Sequence, residues 1–212
     1  MLSADPVLRD FFISEKHADL AGPWRPGSIR DQSVRACLTI DRAIRRQWIS
    51  EERPLAIVGA GIAGVTAAIL ARRHRIPVTV IDHRKPLSVL SESFRWVDPT
   101  AYDWPHAWWS EGRWAPGGFP EVRIEAGEAR TIAVQFADLL QQDPEIQCIR
   151  TKIEHLQELI DRQDYGLVLD CRGAAQRATA ADPTRDLPFG TAAIRQQPPA
   201  LSGWSSTGRW RS

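Results

Sequence analysis

The sequence predicts an α/β fold, a parallel sheet with flanking helices and a loop-rich aromatic insertion, and three observations carry that prediction. Two uncharged runs, "LAIV" at 55–58 and the β-branched "VTVI" at 78–81, read as buried strands, the second covered on both faces. Between them a glycine-punctuated apolar stretch has helical spacing. A second helical stripe at 128–142 is then followed by further apolar runs at 146–149 and 166–170. Strands alternating with helices at this spacing are the signature of a parallel sheet.

Composition bounds the reading. A chain of 212 residues that is 43% apolar can bury a core. Its 27 basic and 26 acidic residues nearly cancel, so the electrostatic footprint of a nucleic-acid partner is missing. The three cysteines, Cys37, Cys148 and Cys171, are odd in number and show neither a CxxC pair nor metal-ligand spacing. No metal site is expected, and a reduced, cytoplasmic setting is. Charges interrupt the N-terminus where a secretory signal needs an apolar core, so no export sequence is expected. The uncharged run Leu55 to Ala71, with Arg72 and Arg73 behind it, superficially resembles a membrane anchor. It is short of the roughly 20 apolar residues a spanning helix needs and holds three glycines, so no membrane span is expected.

Taken in order, residues 1–30 lack periodicity and contain "GPWRPG", which reads as an irregular arm. Ser33 is a plausible N-cap for an amphipathic helix with Cys37, Ile40, Ile44 and Trp48 on one face. Residues 1–50 are therefore expected to be an arm and a helix packed on the edge of the next domain. That domain spans 51–175. It starts with the strand at 55, a helix from Ile62 to about His74 ended by Pro77, and the strand at 78. Residues 86–127 show neither period and hold "DPTAYDWPHAWW" and "APGGFP", an insertion of loops and short pieces. Ala129, Ile132, Ala133, Phe136, Leu139 and Leu140 then form a helical stripe that stops before Pro144. "IQCI" reads as a strand, "IEHLQELI" is ambiguous, and "GLVLD" is a buried strand. From Ala174 the composition turns to Ala, Thr, Pro, Gln and Ser, and 176–212 is expected to be a disordered tail.

Chemistry concentrates in the glycine turn. Gly59, Gly61 and Gly64 form GxGxxG between the first strand and the helix, the context that gives this otherwise weak pattern its meaning. The first glycine permits the tight turn, the second the approach of a pyrophosphate, and the third close packing of helix on strand. Ala60, Ile62 and Ala63 complete the turn, whose amides and helix dipole face the phosphates. Asp82 ends the second strand, at roughly the 20-residue distance from which an acid reaches a ribose diol. His83, Arg84 and Lys85 follow; Asp82 would repel a 2′-phosphate, so these read as adenosine-edge or solvent contacts. A glycine turn that binds nothing is the bland alternative, but it has no need of the strand-end acid. The whole is Rossmann-like.

"LAIVGAGIAGVTAAILARRHRIPVTVID" resembles the opening fingerprint of the FAD-dependent oxidoreductase superfamily, departing where His74 and Arg75 replace a usual glycine. "DYGLVLDCRGAA" is similar to the later strand of that superfamily that ends in a small residue, a variable residue and glycine beside the cofactor, here Cys171, Arg172 and Gly173. The resemblance implies FAD as cofactor rather than NAD(P), with Gly173 beside it and the backbone of Cys148 to Arg150 by the adenine. An NAD dehydrogenase would continue with more strand and helix units.

Flavin carries its own redox chemistry, and the sequence names no catalytic residue. Asp103, His106 and Glu111 in the insertion read first as surface polar groups, Cys171 as a packed small residue, and Arg95 as equally an ion-pair partner or an anion contact. The superfamily usually adds a substrate domain after the late glycine strand, so a partner chain supplying it is one expectation; the small-molecule substrate is unknown. The competing readings are an NAD(P)-linked reductase and a truncated or degenerate nucleotide-binding module without catalysis. Adenylating enzymes that activate ubiquitin-like proteins share a similar turn, but their arginine pattern and zinc cysteines are missing. The clustered tryptophans read first as packing of the insertion onto the domain, then as a wall near the cofactor.

Overall fold

The structure is a computed structural model that describes residues 6–20, 28–98 and 126–173. These fall within the unit Met1–Ala180. The expected tail at 176–212, most of the aromatic insertion, and Asp103, His106 and Glu111 lie outside the described residues.

The α/β fold is as the sequence predicts: a mostly parallel six-stranded sheet with helices on it. In chain order the elements are α1 (Pro6–Phe11), β1 (Phe12–Ser14), β2 (His17–Asp19), α2 (Ile29–Arg45), β3 (Leu55–Val58), α3 (Ile62–Arg73) and β4 (Val78–Asp82). The chain goes on through α4 (Ser88–Ser91), β5 (Trp96–Val97), β6 (Gly127–Glu128), α5 (Ala129–Gln141), β7 (Ile146–Arg150), α6 (Leu156–Asp161) and β8 (Leu167–Asp170). The sheet runs β1-β2-β8-β3-β4-β7, parallel throughout except that β1 pairs antiparallel with β2. The strands β5 and β6 form a separate antiparallel pair at the root of the insertion.

Period-two alternation divides each central strand between two cores. Leu55 and Ile57, Val78 and Val80, and Leu167 and Leu169 join the core built with α1, α2, α3 and α5. Ala56, Val58, Ile81 and Val168 face the other way, onto Leu159 and Leu156 of α6. The ambiguous "IEHLQELI" is thus settled as a short helix that covers the second face.

Two expectations are corrected. Residues 6–20 are not an irregular lead-in: they contribute α1 and the β1-β2 hairpin, and β2 docks on β8 with Val168 N–H donating to Lys16 O (2.8 Å) and Leu20 N–H to Asp170 O (3.0 Å). Elements this short carry no readable period, and β2 owes its conformation to the neighbouring strand. The cap of α2 is Ser28, not Ser33. Ser28 Oγ accepts the Asp31 N–H at 3.2 Å while Asp31 Oδ2 accepts the Ser28 N–H at 2.9 Å, a complete capping box. Ser33 lies inside the helix, its hydroxyl 3.2 Å from that of Thr66 on α3.

Candidate functional site

The C-terminal ends of β3, β4, β7 and β8 open onto a cleft of about 360 Å³, lined by Val58, Gly59, Ile81, Asp82, His83, Thr151, Lys152, Ile153, Glu154 and Arg172. Ligands of open parallel sheets bind at this carboxyl edge. Of the candidate residues, Gly59, Asp82 and His83 share this lining, while Gly61, Gly64, Arg84 and Gly173 are not part of it.

Each glycine of the turn has a separate reason. Gly59 has φ +105°, a backbone state side chains rarely adopt, and a methyl group there would stand 2.8 Å from the Cys171 carbonyl carbon. Gly64 sits in the first turn of α3, and a methyl group on it would overlap the Gly59 carbonyl oxygen. Gly61 is different: it is exposed, and nothing lies within 4 Å of where its Cβ would be. Open space in front of a turn amide is what a close-approaching phosphate requires.

Asp82 both lines the cleft and ties the turn. Its Oδ2 accepts the Ala60 N–H at 2.7 Å, its Oδ1 accepts the Arg84 N–H at 2.8 Å, and His83 Nδ1 lies 3.2 Å from Oδ1. The Ala60 carbonyl in turn accepts the Leu87 N–H at 2.8 Å. Both backbone groups of Ala60 are thus engaged within the protein, so the amides open to a phosphate are those from Gly61 into the first turn of α3, where Ile62, Ala63 and Gly64 precede the first helical bond, Val65 N–H to Gly61 O (2.9 Å). The side chains of Ile62 and Ala63 are buried and serve packing. Arg84 is exposed, with its Nε 3.1 Å from His83 Nε2.

The late strand reaches the same place. β8 lies between β2 and β3, Cys171 N–H donates to Val58 O at 2.7 Å, and the chain at Cys171 and Arg172 abuts Gly59. Gly173, two residues on, is exposed with open space at its Cβ position. Cys171 is half-buried against the main core. Arg95 is exposed, is not part of the cleft lining, and makes a backbone contact, its carbonyl accepting the Ala129 N–H at 2.9 Å.

The lining from Thr151 to Glu154 was not anticipated, nor was a role for Arg172. Cys148 to Arg150 are the last three residues of the edge strand β7, and its contribution to the cleft begins one residue beyond them. Thr151 N–H donates to Asp82 O at 3.0 Å, which carries the ladder past the end of β7 and brings the following residues over the Asp82 tip. The rule that ligands sit at strand carboxyl ends, applied to the end of "IQCIR", contains that signal.

Among the described residues no helix is long and apolar enough to cross a membrane. A model of the family described as an NAD(P)-binding Rossmann-like domain matches residues 57–115, from β3 through the glycine turn, α3 and β4 into the insertion. No curated protein and no solved structure matches the chain. Fold, cleft and family match converge on a Rossmann-type unit for a dinucleotide cofactor.

Proposed function

We propose that this chain binds FAD and is related to the flavin-dependent oxidoreductases. The observation that carries the choice of FAD is the place of β8. It fills the sheet position beside β3, its end touches Gly59, and the next position outward is taken by β2 from the N-terminus. A two-half NAD dehydrogenase sheet would extend there with strands that follow in sequence. The residues fit a dinucleotide: Gly61 leaves a phosphate room to approach, the first turn of α3 supplies N–H donors, and the Asp82 carboxylate stands at the cleft as an acceptor for ribose hydroxyls. Bound flavin supplies the electron-transfer chemistry. This chain's part is to bind the adenosine diphosphate half and fix its direction, through Asp82 at one end and the turn amides at the other. The substrate is a small molecule of unassigned class, and a partner chain that covers the flavin half belongs to the same proposal.

The family description favours a second reading, an NAD(P)-linked reductase. Titration of the purified protein with FAD, NADH and NADPH, followed by flavin absorbance and by nicotinamide fluorescence, separates the two. Uptake of FAD with a perturbed flavin spectrum is expected; saturable NADH or NADPH binding without FAD uptake overturns the choice of flavin.

A further inference from the structure

We infer that Arg172, held in place by Asp170, is a phosphate-contacting residue of the cleft, and this rests on the dinucleotide reading above. Asp170 closes β8 with only 3% of its surface exposed. Its Oδ1 accepts the Arg172 backbone N–H at 3.0 Å and Arg172 Nε at 3.0 Å, and its Oδ2 accepts Arg172 Nη2 at 2.9 Å. Three bonds between residues two apart fix both the turn after β8 and the guanidinium of a side chain that otherwise has many rotamers. The Arg172 side chain is 16% exposed and lines the cleft together with Gly59 and Asp82. With Nε and Nη2 committed to Asp170, Nη1 keeps its two N–H groups for a ligand.

Position identifies that ligand group. The Arg172 backbone nitrogen is 2.9 Å from where a Gly59 Cβ would be, so the arginine springs from the chain that touches the phosphate turn, whereas Asp82 marks the ribose end. A buried ion pair contributes little net stability compared with apolar packing of the same volume. A guanidinium pre-oriented in the cleft beside Gly59 does something packing cannot, which is to offer a phosphate oxygen charge-assisted Nη1 N–H donors in addition to the backbone amides of the turn. Asp170 acts through Arg172 and is a positioning residue.

The test compares ADP with adenosine on the full chain, by calorimetric titration of the wild type, Arg172→Met, Arg172→Lys and Asp170→Asn, with circular dichroism and thermal unfolding as the check on folding. ADP affinity is expected to fall about 10-fold or more in Arg172→Met, the range for loss of a charged hydrogen bond, while adenosine affinity stays within about twofold on the same scale. Arg172→Lys, which keeps the charge and loses the fork, is expected to fall between, and Asp170→Asn to lower ADP affinity without lowering adenosine affinity. A general loss of fold would lower both ligands alike. Equal ADP affinity in the wild type and in a folded Arg172→Met or Arg172→Lys overturns the inference while leaving the dinucleotide reading standing. A folded wild type that binds none of ADP, FAD, NADH and NADPH overturns both.

Discussion

The Asp82 carboxylate takes the Ala60 backbone N–H at 2.7 Å, so the acid expected to hold a ribose is also what holds the glycine turn in shape. Asp82→Ala removes the proposed ribose acceptor and leaves the Ala60 and Arg84 amides without their acceptor. Stability is expected to fall by about 1–3 kcal/mol and dinucleotide affinity by at least about 10-fold. Asp82→Asn keeps one acceptor oxygen and is expected to retain more stability than affinity. Thermal unfolding beside a binding titration reads the two effects separately, and full affinity in a folded Asp82→Ala would remove Asp82 from the site.

The glycines of the turn predict opposite outcomes for the same substitution. Gly64→Ala forces a methyl group into the Gly59 carbonyl and is expected to cost about 1–3 kcal/mol, more if the helix cannot shift. Gly61→Ala meets no protein atom within 4 Å and has an extended backbone with φ −77°, so the fold should tolerate it. Its methyl group would stand instead in the proposed phosphate approach, and affinity is expected to drop with an unchanged melting temperature. Melting curves of the two variants without ligand, followed by titration of Gly61→Ala, check both halves of the contrast.

Legibility in the sequence followed the strength of the local pattern. β3, β4 and β8 could be read as apolar runs of at least four residues, and α3 and α5 by helical spacing, each near Pro or Gly punctuation. The hairpin at 12–19 could not, since three-residue strands hold no period and β2 is made a strand by β8. At the cleft, Gly59 and Asp82 announce themselves by residue type and spacing. Thr151 to Glu154 are ordinary residue types, and what makes them lining is the register of β7 on β4, a long-range pairing that no local window contains.

Cys148 carries a pH prediction. Burial pushes its thiol above the ordinary value because the desolvated thiolate is disfavoured, although the residue as a whole counts as exposed on the edge strand. The reactive thiolate therefore forms only at higher pH than in a free cysteine. In a Cys171→Ser background, labelling with a disulfide reagent is expected to be slower than for a model thiol at neutral pH and to catch up as pH rises, with Cys37, fully buried, silent until unfolding. Labelling of Cys148 at the model rate at neutral pH would contradict the assignment.

Both long helices ahead of β4 stop without glycine. At the end of α3, Ile76 N–H donates to Ala71 O at 3.1 Å and Arg75 N–H to Arg72 O at 2.8 Å, with Arg75 at φ +60°. At the end of α2, Trp48 N–H donates to Ala43 O and Gln47 N–H to Ile44 O, each at 2.9 Å, with Gln47 at φ +58°. These are paired Schellman closures in which the residue after the cap is left-handed and the next, buried Ile76 or Trp48, anchors the chain. A side chain in that conformation costs roughly 1–2 kcal/mol, against about 0.5–1 kcal/mol for the extra freedom glycine loses on folding. Arg75→Gly and Gln47→Gly are each expected to stabilise by about 0.5–1 kcal/mol, a rise of about 1–4 °C in melting temperature for a chain of this size. The sites belong to different helices and neither residue lines the cleft, so the gains should add in the double variant and leave dinucleotide affinity unchanged. A fall in melting temperature on either substitution would mean that the arginine or glutamine side chain, rather than the backbone it strains, is what the helix end depends on.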